Sequence, residues 1–157
     1  MSQRSVAHHT FVIERRLKAS PQRVFRAWST PESKRRWAAC NGDMVNTAYS
    51  LDFRPQGSET NRIVSPDGRV HLLQGHYLDI VADERIIYAY DIHVDGVRGS
   101  ASLATVLFQP CDVGTRMIFT EQIAFLDGHY SLEDRIHGTE ELFDRIALEL
   151  EDGIGRH

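Results

Sequence analysis

Residues 18–38 read Lys18-Ala19-Ser20-Pro21-Gln22-Arg23-Val24-Phe25-Arg26-Ala27-Trp28-Ser29-Thr30-Pro31-Glu32-Ser33-Lys34-Arg35-Arg36-Trp37-Ala38. A hydroxyl residue stands directly before proline twice, at Ser20-Pro21 and at Thr30-Pro31. Ser20 can accept a hydrogen bond from the exposed amides of a following helix, and the missing N–H of Pro21 costs nothing in a first turn. This predicts a short helix from Pro21 to about Trp28 with Val24, Phe25 and Trp28 on one face. Thr30-Pro31 repeats the device. It predicts a second short helix, Glu32 to about Ala38, with Lys34, Arg35 and Arg36 outside and Trp37 inside.

Upstream, Thr10 to Leu17 sets Phe11, Val12, Ile13 and Leu17 among Glu14, Arg15 and Arg16, which reads as a first strand. Downstream, from Asp43 to Ala124, the helical period vanishes. β-prone runs alternate there with turn signals such as Pro55-Gln56-Gly57, Ser65-Pro66-Asp67-Gly68, Asp95-Gly96 and Asp112-Val113-Gly114. Strands are expected near 44–53, 59–64, 70–81, 85–94, 100–109 and 115–124. Short turns favour antiparallel neighbours, because parallel pairs need crossovers of a dozen or more residues. Ser131-Leu132-Glu133-Asp134 then offers a helix start, and Ile136, Phe143, Ile146 and Leu150 recur at helical spacing. The resulting helix, about 131 to 151, is about 32 Å long. The fold class is therefore α+β: a curved seven-stranded antiparallel sheet gripping a long C-terminal helix, with two short helices between strands 1 and 2. Residues 8–151 are expected to form one domain, with 1–7 and 152–157 as flexible termini.

Composition bounds the function. With 157 residues, 41% apolar and 25% charged, the chain fits one globular domain and excludes disordered and collagen-like classes. Of its 18 basic side chains only Lys18 and Lys34 are lysines, which leaves sixteen arginines. Acids outnumber bases, the net charge is −4, and no basic run exceeds Lys34-Arg35-Arg36, so a nucleic-acid partner is not expected. No apolar run approaches the roughly 18 residues of a membrane span. Cys40 and Cys111 form no CxxC, and the opening Met1-Ser2-Gln3-Arg4-Ser5-Val6 has no apolar stretch. Both cysteines read as reduced thiols in a cytoplasmic protein. There is no GxGxxG, Walker loop, HExxH or GxSxG, and His8-His9 lacks metal spacing. No cofactor or metal is expected.

The order strand, two short helices, six strands and a long helix resembles the helix-grip superfamily (START-related, Bet v-like, SRPBCC). Within it the chain resembles the branch homologous to the activator of heat-shock-protein ATPase, also called polyketide cyclase-like. The match rests on Ala19 through Trp28, Pro31-Glu32 and Arg36-Trp37. It continues through Asp52-Phe53-Arg54-Pro55, Gly75-His76-Tyr77-Leu78-Asp79-Ile80-Val81 and Asp83-Glu84-Arg85-Ile86. Gly114-Thr115-Arg116 through Thr120-Glu121 and the last helix complete it, over about residues 8–151. The resemblance implies a cavity between the curved sheet and the helix that holds an apolar or amphipathic ligand. Such a helix cannot fill a concave sheet everywhere, and the gap must be closed by bulky side chains or occupied.

Several residues could carry chemistry. Met117, Phe119 and Glu121 share a face by the period of two, so Glu121 is expected inside. There it is either an acid/base or the ion-pair partner of an arginine. His76 shares a strand face with Leu78 and Ile80 and could orient a ligand or exchange protons, or simply bond between strands. Tyr88, Tyr90 and Ile92 share one face of their strand, and Ile87, Ala89, Asp91 and His93 the other. The first set is the more apolar and offers two phenols to a ligand oxygen. His137 lies beside the helix-weakening Gly138 and could face the cavity mouth or solvent. Trp28 and Trp37 read as core or lid packing. The expected ligand-binding set is Trp37, His76, Tyr88, Tyr90, Met117, Phe119, Glu121, His137 and Phe143. The leading functional expectation is binding of a small hydrophobic or aromatic ligand. The alternatives are a cyclase, dehydratase or hydrolase using Glu121 and His76 as acid and base, and a co-chaperone-like interaction module with a partner on the outer surface or at the basic triplet. Exposed sheet edges would allow a homodimer.

Overall fold

Residues 4–39 and 42–154 are described in the computed structural model; Cys40 and the outer ends of both tails fall outside them. The Ser20 hydroxyl caps the first helix, accepting from the Arg23 amide at 3.3 Å, with Pro21 in the first turn. The elements are β1 (Val6–Leu17), α1 (Pro21–Ser29), α2 (Pro31–Ala38), β2 (Val45–Leu51), β3 (Ser58–Val64) and β4 (Val70–Val81). They continue with β5 (Arg85–Val94), β6 (Val97–Cys111), β7 (Gly114–Leu126) and α3 (Leu132–Ile154). Thr30 departs from expectation: its side chain makes no cap bond, and Pro31 alone opens α2. Ser131 does cap α3, its hydroxyl accepting from the Asp134 amide at 3.2 Å.

All seven strands join one antiparallel sheet in the order β1-β7-β6-β5-β4-β3-β2. The two short helices carry the chain from one sheet edge to the other, so β1 pairs with β7 while β2 to β7 follow as a meander. β7 shows why the sheet has an inside. Thr115, Met117, Phe119, Glu121, Ile123 and Phe125 are all buried, and their neighbours are less so. Register shifts at Asn46/Ala48, Tyr77/Asp79 and Ile92/His93 bend the sheet, since each bulge adds an unpaired residue. β2 ends at Leu51, short of the expected 53, because the chain turns back tightly: the Asp52 amide donates to Ser58 O at 2.8 Å. Gly57 permits that turn, as a Cβ there would lie 2.0 Å from the Asp52 carbonyl oxygen.

The core centres on Trp28, whose ring lies 4.8 Å from Trp37 and 6.1 Å from Phe143. Phe119 stacks against it at 6.5 Å. Such rings bury on the order of 150–250 Å² each and dominate the packing. α3 packs its backbone against α1, α2 and β1. Over β3, β4 and β5 it stands away from the sheet, and the space between is only partly filled. Among the described residues Cys111 is a free thiol, and no helix is long and apolar enough to cross a membrane.

Candidate functional site

Where α3 stands off, the outer chamber holds about 290 Å³ between Gly138, Thr139 and Leu142 of the helix and Asn61, Leu73 and Tyr90 of the sheet. Asn61, Leu73, Tyr90, Thr139 and Leu142 also wall an inner chamber of about 90 Å³. Two ion pairs flank this inner space, both withdrawn from water.

Glu121 is fully buried, as the alternation of β7 requires. Its Oε2 accepts from Arg135 Nη1 at 2.8 Å, from the Ser102 hydroxyl at 2.7 Å and from the Tyr90 hydroxyl at 2.7 Å. Arg135 Nη2 reaches the Ser100 hydroxyl at 2.8 Å. Burial pushes the Tyr90 phenol far above its ordinary value, and the neighbouring Glu121 carboxylate adds to the rise. Burial pulls the Arg135 guanidinium down, but the Tyr90 and Glu121 oxygens more than offset it and hold it above its ordinary value. Glu121 thus accepts from one guanidinium and two hydroxyls.

Lys34 forms the second pair and corrects the expectation that it lies outside: it is 4% exposed. Its Nζ donates to Glu59 Oε1 at 2.8 Å and to the Tyr77 hydroxyl at 3.1 Å. The Tyr49 hydroxyl donates to Glu59 Oε2 at 2.7 Å. The rings of Trp28, Trp37, Tyr77 and Tyr88 all lie within 6 Å of Nζ, close enough for cation–π attraction. Only Arg35 and Arg36 of the basic triplet face outward, so the triplet is not a surface patch.

Six of the expected residues meet here: Trp37, Tyr88, Tyr90, Phe119, Glu121 and Phe143 line the inner chamber. Tyr88, Tyr90 and Ile92 face inward, while Asp91 on the opposite face bonds Arg98 Nε at 3.0 Å. Three residues do not join them. His76 is exposed on the outer face, so the structure does not bring Glu121 and His76 together. The bulge between Tyr77 and Asp79 is the reason: the residue it inserts shifts the alternation, so that Tyr77 and Ile80 both turn toward the core. Met117 is fully buried in packing and borders neither chamber. His137 points to solvent, with its Nε2 2.8 Å from Glu141 one turn on.

Arg135, Glu59 and Asn61 were not singled out by the sequence reading, and Lys34 was read only as an outward member of the basic triplet. Arg135 carried a usable signal, because it stands four residues before Thr139 and seven before Leu142, on the face that meets the sheet. Glu59 carried none, in a strand that reads Ser58-Glu59-Thr60-Asn61-Arg62. Among the described residues no group of three His, Cys, Asp or Glu side chains is placed to hold a metal ion.

Comparison with known proteins agrees with this architecture. The family model described as "Activator of Hsp90 ATPase homolog 1-like protein" matches residues 18–151. An uncharacterised protein from Rhizobium leguminosarum is 50% identical, over 96% of this chain and 99% of its own, with a TM-score of 0.93. The Mll3558 protein from Rhizobium loti is 39% identical over 92% of this chain and 99% of its own, with a TM-score of 0.85. An AHSA1-like protein from Aeromonas hydrophila shares the fold at 19% identity and a TM-score of 0.71, over 95% of this chain and 96% of its own. No curated protein matches the chain.

Proposed function

The chain belongs to the Activator of Hsp90 ATPase homolog 1-like family, and from that premise we propose that it binds a small apolar or aromatic molecule between β3–β5 and α3. The observation that carries this reading is the pair of adjoining chambers, apolar along Ile63, Leu73, Ile92 and Leu142, with polar groups only at fixed points. The outer chamber lies near the lower end of the range of about 300–1,000 Å³ seen for small-molecule sites. The two buried ion pairs also support it. Buried pairs contribute little net stability against well-packed apolar residues, so four charged groups around a cavity are more readily understood as parts of a site.

An acid/base enzyme built on Glu121 and His76 has no such support. Glu121 is already bonded to Arg135, Tyr90 and Ser102, and His76 is on the far face. Binding without chemistry is the simpler reading of these residues. Trp37, Tyr88, Tyr90, Phe119, Glu121 and Phe143 are the side chains we assign to the site. A cytoplasmic setting belongs to the same reading, since the free thiol of Cys111 suits a reducing compartment. The open edges of β1 and β2 are the feature through which a second copy could pair.

The test is a thermal-shift and native mass-spectrometry screen of apolar and aromatic compounds on the wild type and on Gly138→Leu. A Cβ at Gly138 meets nothing within 4 Å, so the longer side chain can occupy the outer chamber. Compounds that are retained by the wild type and lost by the variant support the proposal. Retention of no compound by the wild type, or equal retention by both, contradicts it.

A further inference from the structure

Two hydrogen-bond donors around the inner chamber are unspent, on Trp28 and Tyr88, with the Lys34 ammonium beside them. Trp28, Lys34 and Tyr88 all line it. Trp28 is 2% exposed, yet its Nε1–H has no acceptor among the described residues. Trp37, its neighbour, differs: its Nε1–H donates to Ala27 O at 2.8 Å. The Tyr88 hydroxyl also makes no hydrogen bond among the described residues, but its oxygen is not sealed from solvent. Lys34 Nζ gives hydrogen bonds to Glu59 and Tyr77 and otherwise faces the surrounding rings. Nζ lies 5.3 Å from the ring centres of both Trp28 and Tyr88, so the two rings and the ammonium border the same part of the chamber. A buried donor without an acceptor forfeits its hydration for nothing, so Trp28 Nε1 calls for an acceptor that arrives from outside, and the Tyr88 hydroxyl is a second donor on the same chamber.

Charge selects the kind of acceptor. Lys34 with Glu59, and Arg135 with Glu121, cancel as pairs. A ligand carboxylate would bring an uncompensated negative charge into a desolvated space already bordered by Glu59 and Glu121. A ligand cation or N–H would meet idle donors rather than acceptors. A neutral carbonyl oxygen offers lone pairs and no charge.

Resting on the cavity-binding function above, we propose that the inner chamber recognises a neutral carbonyl oxygen. Trp28 Nε1 and the Tyr88 hydroxyl are its donors, and the apolar body of the ligand lies outward against Ile63, Leu73 and Leu142. The site would therefore discriminate a ketone from the hydrocarbon of the same shape. Sites built to satisfy a polar group reject analogues that lack it far more strongly than apolar pockets reject a missing methylene.

The experiment titrates acetylnaphthalene and ethylnaphthalene, which differ by C=O against CH₂, into the full chain by calorimetry, with the two indole N–H resonances followed by NMR. The ketone is expected to bind at least ten-fold more tightly and to move the Trp28 indole proton downfield, while that of Trp37 stays in place. Tyr88→Phe, which removes one oxygen and keeps the ring, is expected to weaken the ketone three- to ten-fold and leave the hydrocarbon unchanged. Its indole spectrum without ligand verifies that it folds. Equal binding of the two compounds by the wild type, or an unmoved Trp28 resonance at saturation with ketone, overturns the carbonyl assignment and leaves cavity binding intact. If neither compound binds, cavity binding fails and this assignment fails with it.

Discussion

Replacing Arg135 by methionine removes the one cation bonded to Glu121 among the described residues; the Glu121 side chain is wholly shielded from solvent, while that of Arg135 is 11% exposed. The Tyr90 and Ser102 hydroxyls remain, but two neutral donors do not balance a full charge in a desolvated place. Breaking a buried pair from one side costs about 3–5 kcal/mol. For a chain of this length that is a fall in Tm of roughly 6–20 °C. Glu121→Gln in the same background removes the stranded charge and keeps an acceptor for both hydroxyls. The double variant should therefore recover at least half of the loss, a coupling of about 2–3 kcal/mol in a double-mutant cycle. Urea unfolding of the wild type, both single variants and the double variant at neutral pH measures each corner. A loss under about 1 kcal/mol for Arg135→Met, the size of an exposed pair, would refute the reasoning. So would simple additivity of the two substitutions.

Gly138→Ala should stabilise α3 by about 0.5–1 kcal/mol, because alanine is the better helix former and its Cβ meets nothing within 4 Å; thermal unfolding would show a raised Tm. Lys34→Met should cost about 3–5 kcal/mol by leaving Glu59 without its cation. Arg35→Met on the exposed side of the same helix should stay within about 0.5 kcal/mol; denaturant midpoints compare the two. Alkaline pH should unfold the protein through its phenols. Burial raises Tyr49, Tyr77, Tyr88 and Tyr90 well above the ordinary value near 10, so their contribution is complete below pH 10 and lost as pH climbs above it. Each phenol accounts for roughly 1 kcal/mol between pH 10 and 11, about 4 kcal/mol together. Phenolate absorbance should rise for these four only when circular dichroism reports unfolding.

Local chemistry made most of the fold legible. Ser20-Pro21 marks the start of α1 because its cap bond is made within four residues. The alternation through Met117, Phe119 and Glu121 is a property of β7 alone, so the burial of Glu121 followed directly. The errors arise where a long-range relation decides. His76 falls outside because one inserted residue in β4 reverses the alternation, and a period of two cannot register an insertion. Lys34 was read as a surface residue because its partner, Glu59, lies on a strand 25 positions away. Which of sixteen arginines would pair with Glu121 depended on how α3 lies over β7. The idle donors of Trp28 and Tyr88 were invisible for a further reason: the absence of a partner is known only when every neighbour is placed.

The most direct test of cavity binding is a backbone and side-chain NMR titration with ethylnaphthalene, which probes the chambers without requiring a carbonyl. The expected result is saturable shifts at Leu73, Tyr90, Gly138, Thr139 and Leu142, with His76, Leu78 and Leu103 on the outer face unmoved. Saturable shifts confined to the outer face or the sheet edges, or none up to the solubility of the compound, would contradict a ligand held between β3–β5 and α3.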